Sequence, residues 1–230
     1  MDQVAHYSTE SIDDYLKAIL ELSGADEERV ASNALAEHLG IRAASVTGML
    51  QKLAALKPPF VRYEKHRGAH LTQEGRMRAL EVIRHHRLLE RFLHDVLDYP
   101  WDEVHEEAER LEHYISERLE DRIAAKLGHP ATDPHGHLIP QRNGSVPPRR
   151  EVPLAKWACG LPAVISSVSD RDPGALREMT RLGLKPGRPI IVENGKRSSG
   201  IRVRLGRRGR PLHLSEALAC SVSVVGARQG

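Results

Sequence analysis

The stretch that most constrains this chain runs from His86 to His113 and reads HRLLERFLHDVLDYPWDEVHEEAERLEH. Apolar and metal-capable residues recur at helical spacing on both sides of a break at Tyr99-Pro100, which demands two packed helices. His86 and Glu90 are four apart and share one face. On the second helix His105, Glu109, Glu112 and His113 stand at i, i+4, i+7 and i+8, and at about 100° per residue they cover roughly a third of the circumference. Val104, Ala108, Leu111 and Ile115 form the neighbouring stripe, so imidazoles and carboxylates flank a buried seam. A lone Glu-His pair is ordinarily surface decoration; six such residues on adjacent helices point to a cation site. Nitrogen and oxygen donors without thiolate suit a hard to borderline ion, Mn²⁺ or Fe²⁺, with Zn²⁺ and Co²⁺ as competitors.

The 230 residues suffice for two or three small domains, and no apolar run reaches membrane-spanning length. The N-terminus MDQVAHYSTESIDDY is polar and acidic, which argues against a signal peptide, and Cys159 and Cys220 lack CxxC spacing. Both features predict a cytoplasmic protein in a reduced compartment. The net charge of +3 conceals an asymmetry. Arg42 to Arg67 holds six Lys/Arg against one acid, whereas 101–121 holds nine acids against Arg110 and Arg118. A basic patch and a separate acidic one imply an anionic and a cationic partner.

In chain order, Ser8 or Ser11 can cap a first helix over roughly 9–22, with Ile12, Tyr15, Leu16, Ile19 and Leu20 on one face. Asp13 and Asp14 fall in its first turn, where the helix dipole accounts for them. A short helix from about Ala31 to Leu39 stops at Gly40, and a second, AASVTGMLQKLAAL, turns Val46, Leu50 and Leu53 inward. Its outward residues Ala44, Ser45, Thr47, Gly48, Gln51 and Lys52 are small or polar, suited to a major groove, with Arg42 and Lys52 reaching phosphates. Phe60–Glu64 and Ala69–Thr72 then alternate as strands around a turn carrying Lys65 and Arg67, a basic wing. Thr72 caps a long apolar helix to about Leu97. With helices from about Trp101 and from Ser116 to Leu127 it forms a bundle that can bury its remaining apolar face in a homodimer.

Residues 128–151 carry five prolines and three glycines, a composition that reads as a linker, with His129, His135 and His137 as loop residues rather than ligands. From Val152 the texture becomes strand-like: Ala163–Ser169, Pro189–Glu193, Ile201–Leu205, Pro211–Leu214 and Ser221–Val225. Turns at Asn194-Gly195 and Gly206–Gly209 separate them, with one helical interruption near Leu176–Leu182. This is a small β-barrel. The expected organisation is mainly α with β: a winged helix-turn-helix over 1–71, a helical metal-binding and dimerisation domain over 72–140, a linker over 141–151 and a barrel over 152–230.

The segments LAEHLGIRAASVTGMLQKL, YEKHRGAHLTQEG, HRLLERFL with VHEEAERLEH, DPHGHLIP, GLKPG and LSEALACSVSV, taken in this order, resemble the metal-dependent repressors of the diphtheria-toxin-repressor type, including the bacterial manganese transport regulators. The resemblance spans nearly the whole chain. It implies that the barrel is SH3-like and that Fe²⁺ or Mn²⁺ is co-repressor for metal-uptake genes. It also implies a primary site of Asp14, Glu109, Glu112 and His113, and an ancillary site of His86, Glu90 and His105. Iron regulators typically have methionine and cysteine at the first two primary positions; carboxylates there resemble the manganese type and shift the site toward Mn²⁺. Lys17 stands where manganese regulators tend to have glutamate, which argues for two separate sites rather than a two-metal cluster. Asp172 is a candidate to complete the ancillary site, although a turn role suits it better.

The expected partners are double-stranded operator DNA and a second copy of the chain, with no membrane and no small-molecule substrate. The expected mechanism is that crowded acids repel one another without metal and let the first helix fray, and that binding fixes the recognition helices. About 3 kcal/mol of preferential binding to the DNA-competent form shifts affinity roughly a hundredfold. The competing reading is a metal-dependent hydrolase, since His/Glu clusters also activate water; it leaves the wing unexplained and finds no nucleophile motif.

Overall fold

The computed structural model describes residues 9–24, 28–197, 200–206 and 209–227. They form two compact units, one from Met1–His85 with Glu112–Ile115 and Pro140–Ser145, the other from His86–Leu111 with Ser116–Ile139 and Val146–Gly230. The expected Ser8 cap lies outside the described residues, as do Arg207 and Arg208 of the expected Gly206–Gly209 loop.

In the first unit, α1 (Thr9–Ser23), α2 (Ser32–Leu39) and α3 (Ala43–Ala55) precede an antiparallel hairpin of β1 (Val61–Glu64) and β2 (Gly68–Leu71). Tyr15, Leu16 and Ile19 of α1 pack with Leu35 of α2, Val46, Leu50 and Leu53 of α3 and Val61 and Ala69 of the hairpin. Gly40 ends α2 at φ 65°, a left-handed conformation open to glycine at little steric cost. Ala69 exchanges two backbone hydrogen bonds with Val30, at 2.8 and 2.9 Å. At Gly68 a Cβ would stand 2.3 Å from the Val30 carbonyl oxygen, and φ is +88°, so this close weld between wing and helical body admits only glycine.

Thr72 accepts a hydrogen bond from Gly75 N at 3.1 Å, capping α4 (Gln73–Leu97), whose residues to His85 belong to the first unit. In the second unit α4 continues to Leu97, followed by α5 (Val104–Leu111) and α6 (Glu117–Lys126), the latter capped by Ser116. The expected second metal helix is shorter than its periodicity suggests: it stops at Leu111, and Glu112 and His113 sit in a turn. Leu111, expected in the buried stripe, is exposed, whereas Val104 and Ala108 are fully buried.

Residues 152–226 form a six-stranded antiparallel sheet in the order β3-β8-β4-β5-β6-β7. Its strands are β3 (Val152–Pro153), β4 (Pro162–Val168), β5 (Pro189–Arg197), β6 (Gly200–Leu205), β7 (Pro211–Leu214) and β8 (Val222–Gly226), with α7 (Pro173–Leu182) and α8 (Glu216–Cys220) between them. The expected turn at Asn194-Gly195 is instead strand, because β5 pairs with β6 across Asn194↔Arg202 as far as Arg197↔Gly200. Leu154, Ile165, Leu176, Met179, Ile190, Val203, Leu214 and Val224 fill its core, and Trp101 is buried with them. Residues 128–139, read as the start of a linker, form an ordered loop closed by a Thr132–Leu138 bridge, with Asp133 and His135 buried. No helix among the described residues is long and apolar enough to cross a membrane.

Candidate metal centres and nucleic-acid interface

Two groups of candidate ligands gather, one in each unit. In the first, His113 Nε2 lies 3.1 Å from Asp14 Oδ1 and 3.5 Å from Glu112 Oε1. Asp14 comes from the first turns of α1, and Glu112 and His113 from the turn after α5. Glu112 is fully buried, and Lys17 Nζ donates to both of its oxygens, at 2.9 and 3.2 Å. Asp13, one residue before Asp14, is buried and receives a fork from Arg78, Nε at 2.7 Å and Nη2 at 2.6 Å. The carboxylates of Asp13 and Asp14 push the His113 imidazole up to about 10, so it is cationic at neutral pH. Burial works against ionisation of Asp13, yet His113 and Arg78 outweigh it and hold its carboxyl below the usual range.

The expected repulsion between crowded acids is therefore absent. Asp13 faces Arg78, Glu112 faces Lys17 and Asp14 faces the His113 imidazole. Helical periodicity cannot show this, because Arg78 stands 65 positions from Asp13 and Lys17 stands 95 from Glu112. Glu109, expected beside Asp14, belongs to the second unit, where its Oε1 is 4.0 Å from His86 Nδ1 and 3.9 Å from His105 Nε2.

In the second unit His86 and Glu90, one turn apart on α4, meet His105 of α5. His86 Nε2 is 3.0 Å from Glu90 Oε1 and 3.1 Å from His105 Nδ1, and His105 Nδ1 is 3.3 Å from Glu90 Oε1. Three potential ligand atoms at these mutual distances fit one ion, since bonds of about 2.1 Å place neighbouring ligands roughly 3.0–3.4 Å apart. Asp170 Oδ2 reaches His105 Nδ1 at 3.7 Å and completes the group. Asp172 does not. Its side chain accepts from Gly174 N at 2.8 Å, capping α7 ahead of Pro173. Asp-Pro at a helix start is a sequence signature of an N-cap, and it could have separated the two aspartates in advance.

The 128–139 loop adds residues that composition had set aside. Glu90 Oε2 and His135 Nδ1 are both buried, lie 3.6 Å apart and make no hydrogen bond, the kind of vacancy in bonding that a cation satisfies. His135 Nε2 is 2.7 Å from the Trp101 carbonyl oxygen, and His137 Nδ1 is 3.1 Å from Asp133 and 3.5 Å from Asp170. Burial raises the cost of ionising Glu90, but His86, His105 and His135 hold its carboxyl well below the usual range. Burial likewise disfavours the His135 cation, and Glu90 overrides it, raising His135 to about 9.

On the opposite chemistry, α3 exposes Arg42, Ala44, Ser45 and Gly48, with Thr47 and Lys52 half-buried beside them. Lys65 and Arg67 are exposed at the wing tip. A cleft of about 510 Å³ opens between the helices and the wing, bounded by Ser32, Asn33, Thr47, Gln51, Tyr63 and Lys65. Glu64 is held below the usual carboxylate range chiefly by Arg29, with Arg67 also bonded to it at 3.0 Å.

Comparisons with known proteins bear on this arrangement. Residues 8–69 match the iron-dependent repressor N-terminal DNA-binding domain, 72–141 the iron-dependent repressor metal-binding and dimerisation domain, and 152–225 the FeoA domain. The iron-dependent repressor IdeR of Mycobacterium tuberculosis (strain ATCC 25618 / H37Rv) is 32% identical over 193 residues, covering 78% of this chain and 82% of that protein. The transcriptional regulator MntR of Oceanobacillus iheyensis is 35% identical over 108 residues, covering 47% of this chain and 71% of its own length. Among solved structures, a manganese-dependent transcriptional repressor in complex with manganese superposes with a TM-score of 0.86 at 37% identity, covering 94% of this chain and all (100%) of that one. The manganese regulator SloR gives 0.74 at 31% identity, covering 94% and 98%.

Proposed function

The chain belongs to the family of iron- and manganese-dependent repressors, and from that membership we propose that it is a manganese-responsive repressor of metal-uptake genes that reads operator DNA as a homodimer. It is a metal-dependent transcriptional repressor, not an enzyme, so the hydrolase reading is set aside. We infer the domain limits 1–71, 72–140 and 152–230 with a linker over 141–151, supported by the matched spans. Exposed Val96, Leu97 and Leu119 suit the dimer contact.

The observation that carries the reading is the meeting of Asp14, on the helix beneath the reading head, with Glu112 and His113 from the turn after α5. A divalent ion supplies the positive charge that these three groups would share. Asp14 fixes α1 to that turn. Because Tyr15, Leu16 and Ile19 of α1 share a core with Val46 and Leu50 of α3, fixing α1 fixes the recognition helix. Were Asp14, Glu112 and His113 to hold a divalent ion, its charge would take the place of the His113 proton and of the Lys17 ammonium beside Glu112. We propose His86, Glu90, His105 and Asp170 as a second site, with Glu109 and His135 beside it. Oxygen and nitrogen donors throughout support Mn²⁺ over Fe²⁺, with Zn²⁺ or Co²⁺ as substitutes. Arg42 and Lys52 with Lys65 and Arg67 contact phosphate, while Ala44, Ser45, Thr47 and Gly48 allow close approach to base edges.

The test is operator binding to the upstream region of a metal-transporter gene, titrated with Mn²⁺, Fe²⁺ and Zn²⁺ at fixed ionic strength. Activation by Mn²⁺ at the lowest concentration is expected. Equal affinity in chelator would overturn the reading.

A further inference from the structure

Asp13 has no place in the ligand group, yet its geometry is more constrained than that of Asp14. Its carboxylate is 2% exposed, and Arg78 grips both oxygens in a two-pronged fork at 2.7 and 2.6 Å. The fork is itself braced, because Arg78 Nη1 donates to Glu81 at 3.1 Å. Asp13 Oδ2 then faces His113 Nδ1 at 3.5 Å, and that nitrogen is buried with no hydrogen-bond partner. The opposite nitrogen, Nε2, is the one directed at Asp14 and Glu112. The imidazole therefore stands between two consecutive aspartates of α1, one on each side of the ring.

We propose that Asp13, anchored by Arg78, is the positioning residue of the primary metal site: it accepts the Nδ1 proton of His113 and so presents the Nε2 lone pair to the ion. The inference rests on the reading that His113 is a ligand. An imidazole bound to metal through one nitrogen almost always donates its other N–H to a carboxylate, carbonyl or water, which fixes the tautomer and raises ligand basicity. Here a small closing movement turns the 3.5 Å approach into that bond. Adjacent positions in a helix point about 100° apart, which is how Asp13 and Asp14 take different sides of one ring. A merely structural Asp13–Arg78 ion pair between α1 and α4 would stabilise the fold without affecting the ring's tautomer or its metal affinity.

The experiment uses the full chain and reads free Mn²⁺ by its electron paramagnetic resonance signal, with the His113 tautomer followed by ¹⁵N NMR of the Zn²⁺-loaded protein. Asp13→Asn is expected to weaken Mn²⁺ binding about 10- to 100-fold and to lose the single Nδ1–H tautomer; Asp13→Glu should recover part of both. Arg78→Lys, which keeps the charge but not the fork, should fall between them, and it decides the matter if Asp13→Asn does not fold. His113→Ala separates the two claims. If His113→Ala abolishes binding while Asp13→Asn and Arg78→Lys bind like the parent with an unchanged tautomer, the positioning role is wrong and the site stands. If His113→Ala binds Mn²⁺ normally, the ligand assignment itself is wrong.

Discussion

Lys17→Met tests the idea that a built-in cation competes for the primary site. Lys17 donates to both oxygens of Glu112, whose side chain is 0% exposed against 13% for the lysine. Removing one partner of such a buried pair costs about 3–5 kcal/mol, because the remaining charge loses its compensation. His113 Nε2, 3.5 Å from Glu112, supplies some of it, so the lower figure applies. At about 2–4 °C per kcal/mol for a chain of this size, the metal-free variant should melt roughly 6–12 °C below the parent. With Mn²⁺ bound, the carboxylate is balanced in both proteins and the deficit should nearly vanish. The same cycle fixes the affinity: about 3 kcal/mol, at 1.4 kcal/mol per tenfold, makes Mn²⁺ bind roughly a hundredfold more tightly to the variant, which has no ammonium to displace. Scanning calorimetry with chelator and with excess Mn²⁺, at one pH and ionic strength, measures the first quantity, and a free-Mn²⁺ titration the second. A melting deficit of equal size with and without metal, alongside unchanged affinity, would refute the displacement argument.

Asp14→Ala should lower metal-activated operator binding while leaving a folded dimer, checked by gel shift beside sedimentation; unchanged activation removes Asp14 from the switch. The His113 imidazole, raised to about 10, contributes stability to the metal-free protein that is fully present below its ordinary value near 6.5 and lost as pH climbs through about 10. Melts of chelated protein across that window should show the decline, and Mn²⁺ uptake at pH 7 should release protons, seen as a dependence of binding enthalpy on the buffer's ionisation heat. Superimposable enthalpies in different buffers would contradict it. Lys52→Ala should weaken operator binding and reduce its salt slope by about one unit, while a change without any shift in slope would place Lys52 away from phosphate.

The winged helix was legible because its signals are local: the Gly40 stop, the inward Val46, Leu50 and Leu53, and the two alternating segments around a basic turn all follow from neighbours in sequence. What escaped was set by contacts between distant residues. Glu112 and His113 continue the helical stripe of α5 perfectly well as letters, yet the backbone turns there, and Glu112 meets Lys17, 95 positions earlier. Asp13 looked like ordinary dipole compensation because Arg78 is 65 positions away. His135 and His137 were discounted on proline and glycine content, although the Thr132–Leu138 bridge and the Asp133 side chain, which accepts from His137 N at 3.0 Å, give that loop a fixed shape.

Both candidate ligand groups are built from imidazole and carboxylate alone, and the two cysteines stand in the barrel unit, outside them. Peroxide turns thiols into sulfenic and then sulfinic acids and thioethers into sulfoxides, but it finds neither among these donors. A sensor that held its ion on these donors would offer peroxide no sulfur to oxidise, so the route that disarms a cysteine- or methionine-ligated site would be closed to it.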